Sequence, residues 1–179
     1  MMYDFEISGN EIINKNEMQN NGNFIESFKD KYKEKFGIIN NNLLFLNQYE
    51  ALYLLEKDEI NVFSRKNIIK KNKLIKLFSK TNKNFLTNYI IYKDLVSKGY
   101  QVRTGYKYGA QFRIYEKNTS IKDEHSKWLV YPVNEKEKFT WYDFSAKNRV
   151  AHSTKKRLVI AVLDNEKDIT YYEVKWIRT

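Results

Sequence analysis

The sequence predicts an α/β chain of the α+β kind, made of two small mixed α/β units. Three observations lead there. Short stretches that alternate or run apolar recur between turn residues, as strands do, and apolar residues at helical spacing recur between those stretches. The composition also changes once, around "SKTNKN" at 79–84, which puts the boundary between an N-terminal unit at 1–82 and a C-terminal unit at 83–179. With 179 residues, including 14 Tyr, 11 Phe and 3 Trp, the chain can bury a real core and does not read as disordered.

In the first unit, "YDFEISGNEIIN" alternates as a strand pair. "NFIESFKDKYKEKFGII" then spaces Phe24, Phe28, Tyr32 and Phe36 on one helical face, with Gly37 standing where a helix C-cap is expected. "NNLLFLNQYEALYLLEKDEINVF" reads as a strand, a helix over about 48–57 and a second strand. "SRKNIIKKNKLIKLFSKTNKNF" has Ile68, Ile69, Leu74, Leu77 and Phe78 as its apolar side, and its eight Lys/Arg between Arg65 and Lys83 read as a solvated helix face. In the second unit, Phe85, Tyr89, Tyr92, Leu95 and Val96 form one helical face closed by Gly99. The remainder reads as mostly strand: "YQVRTGYKYG", "AQFRIYEK", "KWLVYPV", "RLVIAVLD" and "ITYYEVKWI", with a hairpin turn at "TGYKYGAQF". One helix followed by these strands implies a mixed sheet.

The charge balance narrows the partners. With 32 Lys+Arg against 22 Asp+Glu the net charge is +10, which favours an anionic partner, nucleic acid first and an anionic membrane second, against a merely solubilising surface. The absence of cysteine excludes disulfides, thiol nucleophiles and cysteine-ligated zinc. No apolar run approaches the roughly 20 residues of a membrane span. The start "MMYDFEISGN" is acidic and polar, unlike a secretory signal, so the expectation is a soluble, cytoplasmic protein.

Metal chemistry has little footing in the motifs. There is no HExxH, no Cys/His spacing and no DxD cluster. Glu173-x-Lys175 matches the end of a metal-dependent restriction-type site, but the upstream Asp that usually follows a proline is missing: the single proline is followed by Val133. A metal-free acid/base arrangement is available instead. Tyr115 ends the strand "FRIY", His125 precedes "KWLVYPV" and Lys156 precedes "RLVIAV", so each stands at a strand end where neighbouring strands converge. Internal cleavage of an RNA phosphodiester needs a base for the 2′-hydroxyl, an acid for the departing 5′-oxygen and a cation for the phosphorane. Histidine suits the acid, lysine the cation, and tyrosine serves as base only where cations favour its ionised form.

The blocks "YKYGAQFRIYE", "HSKWLVYPV" and "RVAHSTKKRLVIAVLD", in this order and spacing, resemble the C-terminal catalytic domain of the archaeal tRNA-splicing endonuclease family. "NLLFLNQYEALYLLEKDEINV" resembles the family's N-terminal domain more loosely. The resemblance implies a C-terminal sheet with a restriction-endonuclease-like core and a homotetramer, assembled as a dimer of dimers. It implies Tyr115 as general base, His125 as general acid and Lys156 as the cation, leaving a 2′,3′-cyclic phosphate and a 5′-hydroxyl without metal or other cofactor. The implied substrate is precursor tRNA with a bulge–helix–bulge at the exon–intron junctions. Arg149 would stack on a bulged base, with Trp176 or Arg178 as its partner. In the acidic loop "LDNEKD", Asp164, Glu166 and Asp168 would enter a basic groove of another subunit, and "ITYYEVKWIRT" would pair between subunits. Gln111 departs from the family, in which an acid is common at that position.

Two alternatives stay open from the residues alone. One is a structural RNA-binding subunit without catalysis, which would be expected to have lost part of the Tyr115/His125/Lys156 set. The other is a metal-dependent restriction-type nuclease built on Glu173 and Lys175. His152, the only other histidine, reads as a structural part of the "VAHST" segment.

Overall fold

Alternating burial along short strands and capped amphipathic helices produce two mixed α/β units, Met1–Phe85 and Leu86–Thr179. The computed structural model describes residues 2–9, 11–14, 21–117 and 125–177. Among these residues no helix is long and apolar enough to cross a membrane.

The first unit runs β1 (Tyr3–Ser8), β2 (Glu11–Asn14), α1 (Asn21–Tyr32), β3 (Ile38–Asn40), β4 (Leu43–Leu46), α2 (Gln48–Glu56), β5 (Ile60–Ser64), β6 (Asn67–Ile68) and α3 (Lys71–Thr81). Its sheet has the order β3-β4-β2-β1-β5-β6, with β1 and β5 parallel and the other pairs antiparallel. Phe5, Ile12, Leu44, Ile60 and Val62 of the sheet are buried, as are Phe28 of α1 and Leu52 of α2. Asn47 caps α2 through a reciprocal arrangement with Glu50, which satisfies backbone donors at the helix start. On α3, Leu74 and Phe78 are buried while Lys71, Lys73, Lys76 and Lys80 are exposed, so the basic run is a solvated helix face.

Two local expectations need correction here. The helix containing Phe24 and Phe28 stops at Tyr32, so Gly37 is not its C-cap. Lys33 and Glu34 make the left-handed exit instead, at φ 46° and 61°. Gly37, at φ 77°, serves a close approach, because a Cβ there would lie 2.6 Å from Leu44 Cδ1. Ile68 belongs to the short edge strand β6 and is exposed, so it is not part of the apolar side of the following helix.

The second unit runs α4 (Phe85–Ser97), β7 (Gln101–Thr104), a single 3₁₀ turn (Tyr106–Tyr108), β8 (Phe112–Tyr115), β9 (Trp128–Asn134), α5 (Trp141–Ser153), β10 (Arg157–Leu163) and β11 (Ile169–Val174). The sheet order is β11-β10-β9-β8-β7; β9 and β10 are parallel and the remaining pairs antiparallel. It is therefore mixed, as the sequence predicts. A parallel pair cannot be joined by a tight turn, and α5 supplies the crossover between β9 and β10.

Residues paired across neighbouring strands share a face of the sheet. Arg113, Leu129, Leu158 and Val174 form one such row, and Ala151 of α5 packs with Leu129, Leu158, Ala110 and Tyr131 on that face. The opposite face carries Phe112, Ile114, Trp128 and Val159; there Tyr92 of α4 meets Phe112 at 5.8 Å between ring centroids, and Leu95 of α4 lines a shared pocket with Ile114, Trp128 and Val159. Full burial of a side chain such as Leu129 or Leu158 stabilises the fold by roughly 1.5–3 kcal/mol.

Helix α5 is an element that the strand-dominated reading of this region misses. Ala151 is its only fully buried residue, so it lacks a broad apolar stripe. Its start is nevertheless marked by Thr140, whose hydroxyl accepts from the Asp143 amide at 3.1 Å. Both helices of this unit end in the same way. After α4, Gly99 is left-handed at φ 88°, with Gly99 N donating to Val96 O and Tyr100 N to Leu95 O. After α5, Lys155 takes that role at φ 55°, with Lys155 N donating to His152 O and Lys156 N to Ala151 O at 2.8 Å. This is the Schellman pattern, and a non-glycine residue in its left-handed position costs roughly 1–2 kcal/mol.

The hairpin between β7 and β8 turns through Gly105, whose missing Cβ is essential. A methyl there would meet the Phe112 carbonyl carbon and oxygen at 2.9 Å and the Ala110 oxygen at 3.0 Å. We expect Gly105→Ala to lower the unfolding free energy by about 1–3 kcal/mol, measured by chemical denaturation; an unchanged midpoint would contradict this packing.

Candidate active site

The site is built on the register of three adjacent strands. Ile114 of β8 pairs with Trp128 of β9, which pairs with Arg157 of β10. The ladder continues through Lys127 N to Ile114 O at 2.8 Å and Arg157 N to Lys127 O at 2.9 Å. One residue further out, Tyr115, Lys127 and Lys156 occupy the next row at the strand ends. Neighbouring strands are about 4.8 Å apart, so the backbones carrying Tyr115 and Lys156 are separated by roughly 10 Å. His125 stands two residues before Lys127 and is exposed. Strand pairing thus gathers at one sheet end the three segments that bear Tyr115, His125 and Lys156.

Each position has a distinct environment. Tyr115 is 3% exposed and the Arg113 guanidinium carbon lies 5.7 Å from its ring centroid. Lys156 is half-buried and held by the end of α5: its amide belongs to the Schellman turn, and its Nζ lies 3.3 Å from the Thr154 carbonyl oxygen. The same Nζ lies 5.2 Å from the ring centroid of Tyr108, a residue that sequence reasoning did not single out. Tyr108 stands at the end of the 3₁₀ turn, with Lys107 Nζ 5.0 Å from its ring centroid. Burial alone would push the Tyr108 phenol up. A hydrogen bond from Lys107 and the charges of Lys156, Lys107 and Arg113 outweigh it, so the phenol ionises below its ordinary value. The signal in the sequence was "YKYG", a glycine-closed turn carrying a lysine between two tyrosines, read there only as a hairpin.

Beside Lys156 lies a pocket of about 310 Å³ lined by Asn148, His152, Lys156, Arg157, Val174, Lys175 and Trp176. The His152 and Trp176 rings meet at 4.2 Å, inclined by 62°. His152 is an exposed residue of α5 whose ring meets Trp176. Arg149 is exposed one helical turn earlier. Arg178 lies outside the described residues.

The remaining candidates lie away from this row. Glu173 accepts from Trp128 Nε1 at 2.7 Å and from Arg157 at 3.1 Å, with Lys175 Nζ at 3.9 Å. The Trp128 hydrogen bond and the neighbouring cations hold its carboxyl below the usual range. The carboxylate is thus engaged in an ion pair, and among the described residues no group of three His, Asp or Glu side chains is gathered as a metal would require. The acidic loop after β10 is a tight turn in which Asp164 Oδ1 accepts from the Asp168 amide at 2.8 Å, while Glu166 and Asp168 are exposed. Gln111 donates from Nε2 to the Tyr106 hydroxyl at 3.2 Å.

A five-stranded mixed sheet with a βαβ crossover and a basic, tyrosine-containing strand end defines the class as a small α/β protein with a polar site at one end of its sheet. Comparison with known proteins is more specific. Residues 85–171 match the family model for the tRNA intron endonuclease catalytic C-terminal domain. The chain is 34% identical over 174 residues to the tRNA-splicing endonuclease of Thermococcus gammatolerans, covering 97% of this chain and 98% of that one. It is 38% identical over 146 residues to the tRNA-splicing endonuclease of Methanothermobacter thermautotrophicus, covering 82% and 85%. It is 40% identical over 133 residues to that of Nanoarchaeum equitans, covering 71% and 85%. The chain belongs to the tRNA intron endonuclease family.

The contact between Lys156 and Tyr108 is directly measurable. Removing a cation disfavours the phenolate, so Lys156→Ala should move the Tyr108 titration upward. The readout is the ¹³Cζ resonance of labelled tyrosine, assigned with Tyr108→Phe, and an unmoved titration would place Lys156 away from that ring.

Proposed function

We propose that the protein is an endoribonuclease that excises introns from precursor tRNA, cutting both exon–intron junctions at a bulge–helix–bulge. The observation that carries the reading is the row of strand ends bearing Tyr115, Lys127 and Lys156, with His125 two residues before Lys127, in a chain of this family. In the proposed reaction Tyr115 takes the proton from the 2′-hydroxyl, and that oxygen attacks the adjacent phosphorus. The bond from phosphorus to the 5′-oxygen breaks, and His125 gives the leaving oxygen its proton. Lys156 stabilises the negative charge on the phosphorane. The products are a 2′,3′-cyclic phosphate and a 5′-hydroxyl, and the steps balance without a metal or other cofactor.

Substrate recognition in this reading is by shape. A chain of net charge +10 suits the RNA backbone, and an unstacked base gains from aromatic and cationic side chains without its edges being read. Arg149 and Trp176 are proposed as the base-stacking residues. The pocket that Trp176 forms with His152 and Lys156 supports a nucleotide at that end of the sheet.

The proposed assembly is a homotetramer, a dimer of dimers. β11 is the edge of its sheet, and Tyr172, Trp176 and Ile177 along and beyond it are exposed. An edge with this apolar surface suits pairing with a second copy. The exposed carboxylates of Glu166 and Asp168 suit insertion into a basic groove of another subunit.

Three experiments test these proposals. The purified protein should cut an intron-containing precursor tRNA at both junctions in excess EDTA, leaving cyclic phosphate ends. Loss of cleavage on chelation would favour the metal-dependent reading, and RNA binding without cleavage the structural-subunit reading. His125→Ala should slow cleavage by at least ~10²-fold, and loss of activity only in His152→Ala would refute the acid assignment. For assembly, Glu166→Lys combined with Asp168→Lys should give dimers in light scattering. Asp164 is left intact because its side chain holds the turn. A persistent tetramer would reject the loop's role.

A further inference from the structure

Arg113 is a charged group at the sheet end that the proposed mechanism does not use. It lies on β8 two residues before Tyr115, on the face that carries α5, and its guanidinium sits against the Tyr115 ring at 5.7 Å. Its Nε is buried and, among the described residues, makes no hydrogen bond. The residue as a whole is only half-buried. A buried donor without a partner costs roughly 1–3 kcal/mol unless something in the working complex offsets it.

The surroundings indicate what would offset it. Lys107, Lys156 and Arg113 all act on one phenol, that of Tyr108, and none of the three has a carboxylate partner among the described residues. Cations without a counter-charge repel one another, and a bound anion relieves the repulsion while pairing with the guanidinium. Elsewhere in the unit the opposite holds: Arg157 and Lys98 each have a carboxylate within ion-pair distance.

We propose that Arg113 is a phosphate-binding residue of this site, its guanidinium contacting a non-bridging oxygen of the scissile phosphate opposite Lys156. The inference rests on the endonuclease reading above and adds a second cation to it. The division of labour is physical. Lysine is a point charge on a flexible stem, whereas a guanidinium fixed against an aromatic ring presents donors in a plane and so orients the phosphate as well as neutralising it.

The test is single-turnover cleavage of precursor tRNA by the full chain, together with equilibrium RNA binding. Arg113→Gln should cleave about 10²-fold more slowly at saturating enzyme, and Arg113→Lys should recover only part of that loss because it restores the charge without the planar fork. Millimolar guanidinium should partly rescue Arg113→Ala, which a purely structural role would not allow. A folded Arg113→Gln cleaving within about threefold of the wild type would overturn the proposal. Should that variant not fold, Arg113→Lys at wild-type rate would do the same. If the wild-type protein does not cleave at all, the endonuclease reading fails, and inorganic phosphate then decides the Arg113 inference. The Arg113 ¹⁵Nε–¹H resonance, assigned by its loss in Arg113→Lys, should shift as phosphate is added; an unmoved resonance overturns it.

Discussion

The pairing of β9 with β8 on one side and β10 on the other is the constraint on which the second unit depends. Side chains alternate with a period of two along a strand, so slipping β9 by one residue would turn Leu129 and Tyr131 out of the α5 face and Val130 into it. The buried rows on both faces therefore fix the register, and the register fixes which residues share the sheet end. Tyr115, Lys127 and Lys156 fall in one row because Ile114, Trp128 and Arg157 fall in the row before it. The site is a by-product of core packing.

The end of the crossover refines that placement. β9 and β10 are parallel, so the chain must return over the face through α5 before β10 begins. The return ends in a left-handed residue, Lys155, and the hydrogen bond from the Lys156 amide to Ala151 ties the start of β10 to a buried helix position. Lys156 is thereby anchored through the backbone, while its Nζ is aimed by the Thr154 carbonyl and the Tyr108 ring. A tight hairpin through Gly105 delivers that ring. Two turns, each with its own local logic, converge on one ammonium group.

Electrostatics separate the two sides of the same sheet. On the α4 side, charges are matched: Glu173 with Arg157 and Trp128, Asp94 with Lys98 and the Tyr171 hydroxyl. The Tyr171 phenol is accordingly pushed up by burial and by its carboxylate partner. On the α5 side, at the strand ends, cations gather around Tyr108, and its phenol moves down. Matched pairs are what a stable surface or interface needs, whereas an unmatched cluster is suited to an anionic substrate.

Much of this was legible in the sequence, and the physical reason is periodicity. Strands such as "RLVIAVLD" and helices such as the one closed by Gly99 declare themselves, because a two-residue or 3.6-residue apolar repeat is a local property. The order and spacing of three motif blocks likewise carried the family. What local pattern could not supply was α5, whose single fully buried residue leaves almost no apolar stripe and whose stability comes from packing on the sheet. Nor could it supply Tyr108, Arg113 or the meeting of His152 with Trp176, since each depends on segments far apart in sequence being brought together. The sequence by itself determined most of the elements, though not α5, together with the basic character and the family, because these are encoded residue by residue. Only the tertiary structure decided which side chains are neighbours at the sheet end, because strand register and the crossover helix are set by burial on both faces at once.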